Sequence, residues 1–313
     1  LNALEEVKPE TIEFISPIEM DTAFRYRSDI KKYPLEYAKA NRFDLREVNW
    51  RKLSYTYLNP EHPIVPKLSS GLGQDAYGDF IFKKLKKGAF TGNLLHSIFE
   101  NIAFNDSYHW DKVVKRSLKR LALVNQELYN EKLLEMLQHV TETELNDGLR
   151  PFKLSEVSNA SRLNEFEFDF SVQGFQSAAI KQLSTEKVPF HLRNFEQLEG
   201  MMNGKIDLFF EHAGKYYILD WKSNFLGDRV EDYGQEEVWA AMDENNYHLQ
   251  YHIYTSAACK YLKMRKADFN YETEFGGVFY LFLRGVRKER NYGVFFHKPD
   301  LLIVEKFDQI LSQ

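Results

Sequence analysis

Asp207, Asp220 and Lys222 are residue types that, brought together, can hold a hard divalent cation and activate water. Their spacing says how they meet. Lys205 to Glu211 and Tyr216 to Lys222 are rich in β-branched and aromatic residues, and the polar break between them contains Ala213 and Gly214, the pattern of a β-hairpin. A turn centred between 213 and 214 pairs residues whose numbers sum to 427, which sets Asp207 opposite Asp220. The two-residue alternation of a strand then puts Lys222 on the same face. Opposed carboxylates with Cβ atoms about 4.5–5.5 Å apart repel by roughly 3 kcal/mol at an effective dielectric near 20. A bound cation reverses that sign. The other face carries Ile206, Leu208, Phe210, Tyr217, Leu219 and Trp221, so the hairpin is expected to anchor on a core with its acidic face held outward.

Further polar residues sit on the neighbouring elements. Gln250 and Tyr254, within Tyr247-His248-Leu249-Gln250-Tyr251-His252-Ile253-Tyr254, are four apart and share one face of a helix. That face also carries Tyr247, Tyr251, Ala258 and Tyr261, so an ordinary amphipathic helix is a serious alternative. His96 lies on a helix whose apolar residues are Leu94, Leu95, Ile98, Phe99 and Ile102. It points some 130° from the centre of that stripe, taking about 100° per residue, and so escapes the core face. Glu165 falls on a strand near 163 to 171. The periodicity predicts helix from about 94 to 146, a long helix over about 235 to 264, strands at 276 to 284 and 292 to 297, and a terminal helix after Pro299. The expected fold class is α/β, a central mixed sheet flanked by helices.

The Asp, spacer, Asp-x-Lys order of Asp207, Asp220 and Lys222 resembles the PD-(D/E)XK nucleases. Leu219-Asp220-Trp221-Lys222-Ser223-Asn224, the QYHIY run from Gln250, the helix bearing His96 and the GGVFYLFLRG run at 276 to 285 together resemble the nuclease domain of RecB subunits of bacterial RecBCD helicase-nucleases, over about residues 88 to 300. The resemblance implies a restriction-endonuclease-like core and Mg2+-dependent hydrolysis of single- and double-stranded DNA, with Mn2+ also accepted because a histidine is among the ligands. It implies His96, Asp207, Asp220 and the Trp221 carbonyl as metal ligands, and Lys222 at the attacking water or a phosphate oxygen. Glu165 becomes a supporting or second-metal group, and Gln250 and Tyr254 position the DNA or the hairpin. The family usually has Asp-Tyr-Lys where this chain has Asp220-Trp221-Lys222, and the Trp221 side chain is expected to point away from the site. Implied partners are RecC- and RecD-type subunits, the helicase part of the same chain and a RecA-type recombinase. Two alternatives stay open: a non-catalytic docking module that loads the recombinase, and an AddA-like nuclease domain.

The rest of the chain bounds these expectations. A hydrophobic share of 43% and an aromatic share of 15% in 313 residues argue for a folded protein with a sizeable core. No run of 18 apolar residues calls for a membrane span, and the first ten residues lack a signal pattern. With Cys259 the sole cysteine, an internal disulfide and a four-cysteine cluster are both excluded, and a cytoplasmic setting is expected. Net charge is −5, yet positive residues cluster at Lys83-Lys84-Leu85-Lys86-Lys87, at 112 to 120, and at Arg284, Arg287, Lys288 and Arg290, where they could follow phosphates. Leu1 is not an initiator methionine, so the chain is expected to be a segment of a longer protein. Residues 1 to 75 read as the end of a helicase region and a linker, the linker being the proline- and glycine-bearing stretch from 59 to 75, and 76 to 313 as the nuclease domain. Within 1 to 60, Trp50 to Tyr55 is similar to the strand that ends the helicase part. No G-x-x-x-x-G-K-[ST] motif occurs, so the chain is not expected to hydrolyse ATP. Gly71-Leu72-Gly73 lacks both a preceding strand and a third glycine and is not a dinucleotide site.

Overall fold

Two positive-φ residues, Ala213 at 51° and Gly214 at 79°, turn the chain from β3 (Leu198–His212) into β4 (Lys215–Lys222). Positive φ at both central positions matches the twist of a tight hairpin. The observed register, Leu208 with Leu219 through His212 with Lys215, keeps the sum of 427. The computed structural model describes residues 50–59, 75–119 and 125–312. Around the hairpin lie β1 (Trp50–Leu53), β2 (Arg162–Phe175), β5 (Phe275–Phe282) and β6 (Val294–His297). The sheet order is β1-β3-β4-β5-β6, with β2 also paired to β3, and it is mixed: β1 with β3 and β4 with β5 are parallel, the other pairs antiparallel.

β3 organises the sheet. Along its length it pairs with β2, while its other edge is shared, Glu199–Met202 going to β1 and Leu208–His212 to β4. Between those two partners the edge is open, and Asp207 lies in the opening. β5 is buried at every position, as a strand covered on both faces must be.

Among the described residues, six principal helices flank the sheet: α1 (Ala89–Asn101), α2 (Trp110–Lys119), α3 (Gln126–Glu142), α4 (Gln235–Glu244), α5 (Tyr247–Arg265) and α6 (Leu301–Ser312). This is a restriction-endonuclease-like α/β core. α1 docks through Leu94, Leu95, Ile98 and Phe99, with the Phe99 ring stacked 4.4 Å from that of Trp221. α5 lies over the side of the sheet that carries Tyr280, and it is buried almost all round from His248 to Cys259.

Two expected helix boundaries are corrected. The helix expected over 94 to 146 is three helices; the first ends at Asn101, where Ile102 turns extended, and Asn125 caps the third by accepting from the Leu128 N–H at 3.2 Å. The helix expected over 235 to 264 is broken at Asn245 and Asn246. Asn246 is left-handed (φ 55°), and its buried side chain accepts from the His191 N–H and donates to the His191 and Asn59 oxygens. Two adjacent asparagines in a helical pattern are the local signal for that stop. Trp50–Leu53, similar in sequence to the end of a helicase region, pairs with β3 inside this sheet, and every described residue falls within the compact unit Asn49–Gln313. The stretch from 60 to 74 lies outside the described residues. Among the described residues, no helix is long and apolar enough to cross a membrane.

Candidate metal centre

The centre forms where β3 and β4 part company. Beyond Leu208 and Leu219 the backbone ladder ends, and the Trp221 N–H donates instead to the Asp207 carboxylate, Oδ2, at 2.8 Å. That single exchange turns Asp207 toward the end of β4 and opens a cleft of about 270 Å3 lined by His96, Asp207, Asp220, Lys222, Gln250 and Tyr254 among others.

The two sides of the sheet contribute different groups. From α1, His96 donates through Nε2 to the Trp221 carbonyl at 3.1 Å and places Nδ1 3.3 Å from Asp207 Oδ1. Both ring nitrogens face oxygen acceptors, which only the imidazolium satisfies in full. Burial works to lower the His96 pKa, but the hydrogen bond to Asp207 and the charges of Asp207 and Asp220 outweigh it and the pKa is raised. The Trp221 ring points away, buried on Phe99 and Phe104, and leaves only its backbone at the cleft.

Glu165 reaches the same point from β2. Continuing the register of its neighbours sets it across from Asp207, and it takes a left-handed φ of 52°, rare for a residue with a long side chain. Lys205 Nζ holds its Oε2 at 2.9 Å. His96, Glu165 and Asp207 each bring a ligand atom within 4.8 Å of the others, which makes this a possible metal-holding group among the described residues. Glu165, for which the sequence resemblance implies a supporting or second-metal role, is thus brought beside His96 and Asp207. Asp220 is held differently, its Oδ2 2.7 Å from Lys222 Nζ.

The acidic face is not held outward. Asp220 is 2% exposed and Lys222 9%, because α5 closes over them. Gln250 Oε1 accepts from Lys222 Nζ and from the Tyr280 hydroxyl, both at 3.0 Å, and Gln250 Nε2 donates to the Tyr254 hydroxyl at 3.0 Å. Tyr247 lies under the ammonium, 3.8 Å from ring centre to Nζ. Gln250 and Tyr254 therefore secure the hairpin from a helix that is buried rather than amphipathic. Burial and the Asp207 charge push the Asp220 carboxyl up to about 7 despite the pull of Lys222. For Lys222, burial acts downward, but Asp220, Tyr247 and Asp207 raise it overall.

These observations fit a divalent cation. The donors are hard oxygens and one imidazole, and the buried Asp220 Oδ2 accepts no aligned hydrogen bond although it contacts Lys222. Burial together with the Asp207 charge raises the Asp220 carboxyl, and the Asp207 hydrogen bond with the Asp207 and Asp220 charges raises His96; a cation at the cleft would act against both shifts.

One expected phosphate contact is overturned. Arg284 is fully buried and donates to four main-chain carbonyls, whereas Arg287 is half-buried, its guanidinium 4.5 Å from the Tyr77 ring centre. Arg284 offers no free charge to a passing phosphate. A guanidinium in a sequence near other cations resembles a surface patch, whereas Arg284 here satisfies three carbonyls at the end of a helical turn and the Ser223 carbonyl.

Comparison with known proteins agrees with this geometry. The chain is 36% identical over 231 residues to the RecBCD enzyme subunit RecB of Haemophilus influenzae, covering 72% of the chain and 19% of that relative. It is 34% identical over 281 residues to RecB of Escherichia coli, covering 84% of the chain and 23% of that relative, and 31% identical over 235 residues to RecB of a Buchnera aphidicola. This segment is of the RecB family. It spans about a fifth of the length of the RecB relatives it matches. No protein-family model matches the chain.

Proposed function

We propose that this RecB-family segment is a divalent-metal-dependent deoxyribonuclease module of a RecBCD-type recombinational repair complex. The observation that carries the reading is the convergence of His96, Glu165 and Asp207 within ligand distance of one another, beside a buried Asp220–Lys222 pair. Docking alone would need neither the buried charges nor their cost. His96, Asp207 and Glu165, with Asp220 and the Trp221 carbonyl at the same cleft, would hold Mg2+ or Mn2+. Such an ion supplies charge stabilisation at the phosphoryl oxygens and lowers the pKa of bound water.

The chain's own groups do the rest. Lys222, its ammonium directed by Gln250 and Tyr247, meets the attacking water or a non-bridging phosphate oxygen. The pair it forms with Asp220 keeps the lysine charged while it is buried. Gln250 and Tyr254 fix that lysine through one contiguous set of hydrogen bonds. The reading takes single- and double-stranded DNA as substrates, RecC- and RecD-type subunits and the helicase part of the longer protein as neighbours, a RecA-type recombinase as a further partner, and the cytoplasm as the location.

Incubating the chain with linear and circular single-stranded DNA, with and without Mg2+, tests it. Metal-dependent cleavage that is lost in Lys222→Ala, while Mn2+ still binds, is the expected result. Equal rates in wild type and Lys222→Ala would refute the assignment.

A further inference from the structure

Arg284 follows β5, and its side chain turns back toward the end of β4. Its Nε donates to the Ser223 carbonyl at 3.1 Å, next to Lys222. Nη1 donates to the carbonyls of Ile81 at 2.5 Å and Leu85 at 3.1 Å, and Nη2 to that of Lys86 at 2.6 Å. These last three belong to a π-helical turn, Phe80–Lys84, and the two residues after it, the segment that leads into α1. Carbonyls at the end of a helical turn have no partner within it, so a buried cation with several donors satisfies both hydrogen bonding and the local dipole.

The connection continues into α1. The Lys86 carbonyl also accepts from the hydroxyl of Thr91, a fully buried residue in the first turn of that helix. Gly92 follows, and a β-carbon there would lie only 3.2 Å from Ser223 Oγ, so the absence of a side chain at Gly92 lets α1 rest closely on Ser223 at the end of β4. One helical turn beyond Gly92 stands His96, whose ring meets the Trp221 carbonyl and Asp207. A continuous set of contacts thus runs from Ser223 through Arg284, Lys86 and Thr91 to the helix that carries the imidazole.

We propose that Arg284 is a positioning residue for the metal centre: it clamps the segment entering α1 to the end of β4 and thereby fixes where His96 meets Asp207. The inference rests on the nuclease reading for its consequence, because only a metal ligand needs placement this close. The guanidinium touches none of the reacting groups and acts through His96.

The decisive measurement is a double-mutant cycle on Mn2+ affinity by calorimetry, using the whole chain as wild type, Arg284→Lys, His96→Ala and the combination. Arg284→Lys keeps the charge but cannot span four carbonyls. It is expected to weaken Mn2+ about 10-fold or more, the range found when the support of a ligand is lost. In the His96→Ala background the same change should weaken Mn2+ no further. Affinity equal to wild type in Arg284→Lys, or losses that simply multiply in the double variant, would overturn the proposal. Thr91→Val, which removes a single bond of the chain, should give a smaller loss with the same dependence on His96, and serves if Arg284→Lys does not fold. Amide hydrogen exchange of residues 89 to 101 in metal-free protein reads the clamp separately. Faster exchange in Arg284→Lys supports it and unchanged exchange refutes it. Absence of Mn2+ binding by the wild-type chain would instead sink the nuclease reading and leave the clamp to the exchange result.

Discussion

Replacing Gln250 by Leu keeps roughly the volume of the side chain but removes three hydrogen bonds at once. Lys222 Nζ loses the acceptor at 3.0 Å, the Tyr280 hydroxyl loses its acceptor at 3.0 Å, and the Tyr254 hydroxyl loses a donor at 3.0 Å. All four residues are under 10% exposed, so water does not readily stand in. A bond to a charged group is worth about 1.5–3 kcal/mol and a neutral one about 0.5–1.5, so the loss sums to about 4 kcal/mol. For a unit of this size roughly 2–4 °C of melting temperature follows each kcal/mol, which gives a fall of about 10 °C. Tyr254→Phe removes one neutral bond only and should cost about 1 kcal/mol. Because the freed lysine can rotate, single-turnover cleavage by Gln250→Leu should drop about 10–100-fold, as when the hydrogen-bonded support of a reactive group is removed. Urea denaturation of the metal-free protein and rapid-quench cleavage of single-stranded DNA measure the two effects. A variant as stable as wild type would refute the buried network. A destabilised variant that cleaves at the wild-type rate would show that Lys222 needs no holding.

Glu165→Gly should separate stability from function: relief of the left-handed backbone returns about 1 kcal/mol, while Mn2+ affinity falls, and a lowered melting temperature would argue against backbone strain at that position. His96→Ala should cost metal affinity and rate with little change in stability, since its ring lies off the apolar face of α1. A large fall in the melting temperature of the metal-free protein would mark it as a packing residue. Acid should destabilise the fold through buried neutral histidines. Burial depresses His252 to about 3 and His248 and His297 to about 4, so each folded pKa lies below the unfolded value. Their contribution is complete above pH ~6.5 and is lost as pH falls toward 4 and below, with a slope approaching ~1.4 kcal/mol per pH unit for each proton taken up on unfolding. Denaturation of His252→Asn between pH 7.5 and 4.5 should show a flatter dependence, and a slope identical to wild type would count against this assignment.

Much of the candidate site's geometry was legible because its elements follow local rules. The Ala213-Gly214 turn fixes a hairpin register by arithmetic, two-residue alternation separates Asp220 and Lys222 from the core-facing Trp221, and the angular position of His96 keeps it off the apolar stripe of α1. The RecB likeness of the separated runs around these residues added the rest of the candidate set. Other features depend on contacts between residues far apart in the chain. Asp220 and Lys222 look like an exposed acidic face until α5, broken from α4 at Asn246, closes over them, and no periodicity within the hairpin reports that cover. Glu165 joins the candidate cluster only because β2 pairs with β3 and sets it, in a left-handed conformation, across from Asp207. Arg284 has the composition of a surface patch, and its burial is set by carbonyls some 200 residues earlier. Sequence alone determined which side chains could do the chemistry and how the hairpin pairs. Tertiary structure decided how dry the site is, which oxygens stand within reach of one ion and what holds the lysine, because desolvation and ligand spacing are properties of packed elements and not of any one of them.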